Sequence, residues 1–410
     1  MERHGAHAVG DNMTISDHDS LDPRLRREAM IATFRQLHKA APSYGARAPG
    51  RVDLMGSHTD YNEGCVMTLP IDRDTWIVGA PRDDHEVHVT SLNLGATTSF
   101  DPSRPDREPS AGWGRYLHGV AAVLTEAGHP IRGCNTVVHG TVPLGSGLSS
   151  SASLEAAAAT LFEQLGGFTL DPVEKAKLTQ RAENEWVGVH CGILDQYSVI
   201  LGEQGHALML DCRSLTHTHA AVPAGLRIVI CNTCAPRALS GSEYGERRSQ
   251  CEEAAAFFAR RSPGVRALRD VTVGMFRQHA SGLPPELAKR SRFIIEENER
   301  VRALAEAFAR DDRAAIRDLA SASFAGARDL FEISVPAMES MFEAMRIAPG
   351  CIGCRQAGAG FGGCMIAVVD DGLVEAFCRA AAAAYLADTG IVPEIYPIRA
   401  AAGAGALRLS

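Results

Sequence analysis

The run Gly145-Ser146-Gly147-Leu148-Ser149-Ser150-Ser151-Ala152-Ser153, followed by Leu154, Glu155 and the alanines Ala156–Ala159, is the densest chemical signal in the chain. Glycines flanked by small residues let backbone N–H groups converge on one point. The serines lead into an Ala-rich segment of high helix propensity, whose N-terminus carries unpaired N–H groups and the positive end of the helix dipole. Such a loop suits a polyphosphate. The same pattern also fits a Ser-capped helix with no ligand. No Gly-Lys-Ser/Thr follows the glycines, so the loop is not a Walker A sequence, and a nucleotide held here would lack the usual phosphate lysine.

Three further segments carry polar groups in apolar settings. Pro49-Gly50-Arg51-Val52-Asp53-Leu54-Met55-Gly56-Ser57-His58-Thr59-Asp60-Tyr61-Asn62 places Arg, His and Asp at a strand end and in the loop after it, where substrate groups commonly sit. Downstream of Glu183, Cys191-Gly192-Ile193-Leu194-Asp195-Gln196-Tyr197 sets Asp195 among apolar residues, either as a partly desolvated base or as a helix cap. Gly358-Ala359-Gly360-Phe361-Gly362-Gly363 contains a literal G-x-G-x-x-G, but a strand-like run, Cys364–Val369, follows where a dinucleotide site requires a helix. NAD binding is rejected.

Periodicity gives the elements that would position these residues. Helices are predicted at Pro23–His38, Ser150–Leu165, Pro172–Val189, Glu246–Arg260, Pro285–Arg310, Arg313–Leu330, Val335–Met345 and Leu373–Leu386. Strands are predicted at Arg51–Met55, Thr75–Ala80, Val87–Ser91, Asn135–Gly140, His206–Asp211, Leu226–Asn232, Ile352–Gln356, Met365–Val369 and Pro393–Tyr396. Strand runs and helix runs in this order imply α+β, with helices covering antiparallel sheets.

The 410 residues suffice for two domains, and 45% hydrophobic with 22% charged residues is a globular composition. A net charge of −8 argues against nucleic acid or an anionic membrane as the main partner. No apolar run reaches the length of a spanning helix, and residues 1–20 lack the apolar region of a secretory signal, reading instead as a disordered extension. Eleven cysteines without an export signal favour reduced thiols in the cytoplasm. Cys231/Cys234 and Cys351/Cys354 have a spacing that could hold zinc, but their distance apart and apolar surroundings favour small buried side chains.

Together these motifs resemble the GHMP small-molecule kinase superfamily, most closely its galactokinase branch. The resemblance runs in order from about Arg47 to Val369: Pro49–Asn62 resembles the branch's sugar signature, Gly147–Ser153 the ATP loop, and Gly358–Cys364 the third motif. Ser242-Glu243-Tyr244, Arg247-Arg248 and Cys251–Ala255 match the branch as well. The resemblance implies an ATP- and Mg²⁺-dependent sugar 1-kinase with the GHMP kinase fold. An N-terminal domain would span 21–215 and a C-terminal domain 216–410, with mixed or antiparallel sheets and the active site in the cleft between them. It assigns Asp195 and Arg51 as the catalytic pair, and Ser151 and Glu183 as holders of Mg²⁺. Gly145, Ser146, Gly147, Leu148, Ser149, Ser150 and Ser151 would cradle ATP, with Trp113 near the adenine. Ser57, His58, Asp60, Gly192 and Tyr244 match positions that read the sugar. The implied partners are a small sugar and ATP, for a monomer or weak homodimer.

The departures bear on the substrate. Galactokinases usually read Gly-Glu-His-Thr-Asp-Tyr, and that Glu contacts the C6 hydroxyl of galactose; here Ser57 stands in its place. Losing a carboxylate removes a barrier to an anionic C6 group, to which a serine hydroxyl could donate. Asp53 replaces the usual Asn, Ala359 a common Gly, and Phe324 a common His. Plant-type galacturonokinases look similar in lacking the Glu and in having Gly-Ala-Gly-Phe. Galactose is the default substrate, with galacturonate, L-arabinose and N-acetylgalactosamine as alternatives. A catalytically silent sugar sensor is the reading from another class.

Overall fold

A computed structural model describes residues 22–104, 112–189, 191–235 and 240–410. In chain order the elements begin with α1 (Pro23–His38), β1 (Tyr44–Met55), β2 (Cys65–Pro81), β3 (Val87–Ser91), β4 (Ala96–Phe100), α2 (Gly114–Glu126) and β5 (Cys134–Gly140). They continue with α3 (Ser150–Gly166), α4 (Pro172–Ala182), α5 (Leu194–Leu201), β6 (His206–Asp211), β7 (His217–Ala221) and β8 (Leu226–Asn232). The rest are α6 (Ser240–Ala259), α7 (Val273–His279), α8 (Pro285–Ala309), α9 (Arg313–Gly326), α10 (Pro336–Arg346), β9 (Cys351–Gln356), β10 (Cys364–Asp370), α11 (Val374–Thr389), β11 (Glu394–Ile398) and β12 (Gly405–Ala406).

The chain forms two compact units: one of the described residues up to Arg51 with Pro70–Gly202 and Ala402–Ser410, the other of Val52–Leu69 with Glu203–Ala401. Against the expected division at 215/216, residues 52–69, 203–215 and 402–410 each belong to the other unit. Strand pairing explains this. Cys65–Thr68 of β2 pair with β6, whereas Thr75–Pro81 of the same strand pair with β5. The extension expected at 1–20 lies outside the described residues.

In the first unit the strands run in the order β12-β1-β2-β5-β3-β4. β3 lies parallel to β5 while the β2–β5 and β3–β4 pairs are antiparallel, so the sheet is mixed. Asp22 caps α1 by accepting from the N–H groups of Arg24 and Leu25, with Pro23 at the first helical position. Met30 and Phe34 of α1 then pack on Trp76, Val78, Leu92 and Val137. On the same helix Arg26, 3% exposed, donates to Asp74 Oδ1 (2.6 Å) and His139 Nδ1 (3.0 Å). Burial and the Arg26 charge push the His139 pKa down to about 4. The alanines Ala156–Ala159 of α3 are all buried, since side chains this small let a helix approach a sheet closely; Ser153 Oγ donates to Ala48 O at 2.8 Å.

In the second unit β11-β8-β10-β9 form an antiparallel sheet, and β6 and β7 form a hairpin. Val229 and Cys231 of β8 share a core with Phe324, Met338, Cys354 and Tyr385. All eleven cysteines are free thiols, and no cluster of three or more His, Cys, Asp or Glu positioned to hold a metal occurs among the described residues. The two Cys-x-x-Cys pairs accordingly lie on strand β8 with its following loop and on strand β9. No helix among the described residues is long and apolar enough to cross a membrane. The helix predicted to Val189 is α-helical only to Ala182; a π turn, Glu183–Val187, follows, closed by Gly188 N–H on Glu183 O at 3.0 Å with Gly188 at φ +84°. α2, α7, β4, β7 and β12 were not foreseen, and α5 entered only through the helix-cap reading of Asp195.

Candidate functional site

β1 delivers Arg51 to the serine loop. A Cβ on Gly50 would lie 2.7 Å from Leu148 O, so only glycine lets loop and strand lie together, with Arg51 N–H donating to Leu148 O at 3.1 Å. Gly145, Gly147 and Ser149 have φ of +68°, +83° and +59°. Left-handed residues alternating with right-handed or extended ones turn successive N–H groups toward one concavity, which suits an anion. Leu148 is buried and Ser146 Oγ donates to Pro143 O at 2.7 Å, fixing the loop from below.

Ser149 precedes α3 without capping it, because its hydroxyl donates to Asp195 Oδ2 at 2.7 Å instead. Asp195 sits on the first turn of α5, two residues after half-buried Ile193 and three after Gly192. Arg51 donates to Asp195 Oδ1 through Nε (2.9 Å) and Nη2 (2.5 Å), and through Nη1 to Gly147 O (2.7 Å). Side-chain exposures of 9% for Arg51 and 26% for Asp195 leave the carboxylate as the part that solutes can reach.

Ser151, one helical position beyond the loop, hydrogen-bonds Glu183, the first residue of the π turn. Such single turns often mark functional positions. Burial raises the Glu183 pKa, and the Asp195 charge adds to the effect despite the Ser151 hydrogen bond. Fully buried Gln196 donates to Glu183 Oε2 (2.6 Å) and to Glu155 Oε2 (3.0 Å). Glu155 is raised further, first by burial and then by the charge of Glu183.

Beside Ser150 and Ser151 opens a cavity of about 320 Å³, walled chiefly by Trp113, Tyr116, Val138, Val142, Leu144 and Leu154. Its mostly apolar lining and aromatic rings suit a flat heterocycle.

In the second unit the turn after β1 carries Ser57, His58 and Asp60. Gly56, at φ +106°, would place a Cβ 2.9 Å from Cys65 O. His58 Nε2 donates to Ala359 O (2.9 Å), which leaves Nδ1 to accept from Tyr61 OH (2.8 Å). Both ring nitrogens are thus taken inside the protein, and burial lowers the His58 pKa to about 4. The His58 ring packs against Tyr244 and Phe331, with centroids 5.3 and 4.8 Å apart. Asp60 and Tyr244 are half-buried.

Ser57 is 3% exposed and looks inward: it donates to Asp53 Oδ2 (3.0 Å) and accepts from Arg355 Nη2 (2.8 Å). Its proton is therefore not offered outward, contrary to the expectation for a residue reading C6. Arg355 on β9 also donates to Leu54 O (3.0 Å), Ser323 Oγ (3.0 Å) and Glu297 Oε1 (3.2 Å). Burial pushes the Glu297 carboxyl up, but the charges of Arg355 and Arg300 outweigh it and hold the pKa below its usual range. Ala359 is absent from the left-handed positions Gly358, Gly360, Phe361, Gly362 and Gly363, so a side chain is tolerated there. Phe324 stacks on Phe342 at 3.9 Å within the core.

The sequence reading overlooked Gln196, Glu155, Arg355 and Glu297. The available signals were a glutamine beside Asp195 and one arginine directly after the apolar run Cys351–Cys354.

Three family profiles match: GHMP kinases N terminal domain over residues 115–203, GHMP kinases C terminal over 304–387, and the galactokinase galactose-binding signature over 32–81. The fold agrees, since Methanococcus jannaschii mevalonate kinase superposes with a TM-score of 0.64 at 15% identity, over 88% of this chain and 99% of that one. The class is therefore that of the GHMP kinases, enzymes that take ATP as phosphoryl donor. Galactokinase of Chloroflexus aurantiacus is 39% identical over 376 residues, covering 92% of this chain and 96% of its own. That of Roseiflexus sp. is 39% identical over 372 residues, covering 91% and 95%. Lactococcus lactis galactokinase, solved with galactose, superposes with a TM-score of 0.86 at 32% identity, over 92% of this chain and 98% of its own. The chain belongs to the galactokinase family.

Proposed function

We propose that this enzyme transfers the γ-phosphoryl group of ATP to the anomeric hydroxyl of galactose. The observation that carries the reading is the Asp195 carboxylate, held between Arg51 and Ser149 at the lip of the serine loop. Arg51 uses both Nε and Nη2 on Oδ1, and Ser149 takes one lone pair of Oδ2. The remaining lone pair of Oδ2 is the acceptor for the C1 hydroxyl proton, which it orients or removes as the sugar oxygen attacks phosphorus. Arg51 adds positive charge beside the loop, where charge spreads over the phosphoryl oxygens in the transition state. Loop N–H groups hold the phosphates, and the cavity at Trp113 takes the adenine.

Ser151 and Glu183 are hard oxygen donors already in contact, and burial of the Glu183 carboxylate favours a cation beside it. They would hold Mg²⁺, which supplies charge neutralisation of the β- and γ-phosphates. Asp60 and Tyr244, with the His58 turn, would read the sugar hydroxyls, and Gly192, three residues before Asp195, would add no side chain to crowd that carboxylate. Eleven free thiols accord with a reducing cytoplasm.

Galactose is favoured over galacturonate because Ser57, the donor the anionic substrate would require, gives its proton to Asp53. The intact Arg51–Asp195 pair favours an enzyme over a silent sensor. ADP release with galactose, galacturonate, L-arabinose and N-acetylgalactosamine tests the reading. Galactose should give the highest kcat/KM; preference for galacturonate, or no ADP release with any sugar, would overturn it.

A further inference from the structure

The two departures at 53 and 57 fall on residues that touch. Asp53 Oδ2 accepts from Ser57 Oγ at 3.0 Å and lies 3.8 Å from Arg355 Nη1, while Ser57 Oγ accepts from Arg355 Nη2 at 2.8 Å. Around them the buried charges balance. Arg355, 1% exposed, faces Glu297 and Asp53, and Arg300 Nε donates to Glu297 Oε2 at 2.7 Å, giving two cations and two carboxylates. Removing one member of such a set leaves an uncompensated charge in a poorly solvated place. The set also grips the turn that carries His58: Gly56 N–H donates to Glu297 Oε1 at 3.2 Å, and Arg355 Nη1 donates to Leu54 O. The turn's first two residues thus hang on this cluster.

We propose that Asp53, Ser57 and Arg355 act as one positioning unit for the sugar-reading turn, in which Arg355 requires a carboxylate at residue 53 or residue 57, but not at both. The unit holds residue 57 inward, so that it presents neither charge nor donor to the substrate. None of the three is a catalytic residue. The inference rests on the proposed sugar kinase reading for its kinetic part alone.

The test compares Asp53→Asn, the double variant Asp53→Asn/Ser57→Asp, and its isosteric uncharged control Asp53→Asn/Ser57→Asn. ADP release is measured against galactose and against ATP, with thermal unfolding of the sugar-free proteins. Asp53→Asn should raise the galactose KM roughly tenfold or more, with the ATP KM within about twofold of the parent's. The charged double variant should recover most of that loss and of the melting temperature, whereas the uncharged control should not. Equal behaviour of the two double variants, or an unchanged galactose KM in Asp53→Asn, would overturn the proposal. Should Asp53→Asn fail to fold, soluble charged double variant beside insoluble control supports the unit, and equal insolubility sinks it. A parent protein inactive on every sugar refutes the kinase reading, while the melting-temperature comparison still decides the unit.

Discussion

Replacing Asp195 by Asn separates chemistry from architecture at the proposed catalytic carboxylate. Asn has the same shape, so its Oδ1 still accepts from Arg51 Nε and Nη2, now at 2.9 and 2.5 Å from a carboxylate oxygen. Nδ2 takes the place of Oδ2 and donates to Ser149 Oγ, 2.7 Å away, with the serine hydroxyl turned aside. Arg51 keeps its charge, so its two bonds stay charge-assisted but lose their anionic acceptor, while the Ser149 contact becomes a neutral one, about half as strong. With the Asp195 side chain 26% exposed, solvent screens part of that loss, leaving about 1–2 kcal/mol against a typical fold stability of about 5–15 kcal/mol. The protein stays folded. Nδ2 has no lone pair, so the C1 hydroxyl loses its acceptor, and kcat should fall about 10²–10⁴-fold, equal to about 3–5 kcal/mol of barrier. ADP release at saturating ATP measures the first quantity. The fluorescence of Trp113, which lines the cavity beside the loop, would report nucleotide binding under the proposed function, and is expected unchanged. Folded Asp195→Asn protein with kcat within about tenfold of the parent would refute a proton-handling role.

Glu183→Gln should raise the Mg²⁺ concentration for half-maximal activity roughly tenfold or more without altering sugar preference; an unchanged Mg²⁺ titration reduces Glu183 to a partner of Gln196. Gly50→Ala pushes a Cβ to 2.7 Å from Leu148 O, so the ATP KM should rise several-fold while the galactose KM holds, unless the loop is looser than its bonds imply. His58 and His139 stay neutral in the fold down to about pH 4 but take up a proton near 6.5 when unfolded. Their stabilising effect is full above that value and is lost as pH falls toward 4, about 2 kcal/mol for each between pH 7 and 5. Urea unfolding at the two pH values should show the drop, and His139→Gln should reduce it by about half.

The serine loop was legible because its signal is local: glycines, serines and an alanine helix within a few residues fix a backbone shape. The third motif was likewise rejected as a dinucleotide site on its immediate neighbour, the strand β10. α5 gave only the helix-cap reading of Asp195. It has eight residues and no side-chain cap at Ile193, so packing rather than propensity sets it. The inward turn of Ser57 was beyond a linear reading, because Arg355 lies 298 positions away and nothing in Cys351–Gln356 says which way its arginine reaches. Glu183 fell inside the helix predicted over Pro172–Val189; the π turn changes the register there and leaves it buried, which periodicity does not show. The interleaved units escaped for a related reason, since β2 is one unbroken strand whose two ends find different partners.

That interleaving governs how the chain can be made. The edge strand beside β1 is β12, joined at Ala46 to Ala406 and Arg47 to Gly405, and Leu407 and Leu409 pack onto the α1 core. A ribosome must therefore translate the whole second unit before the first can complete its sheet. Until residue 406 has emerged, β1 waits with an open edge, the feature through which nascent chains pair wrongly with one another. Shortening the protein after Ala401 would take away an edge strand from the unit that carries the serine loop, although the nearest residue of that loop is some 250 positions earlier in the sequence.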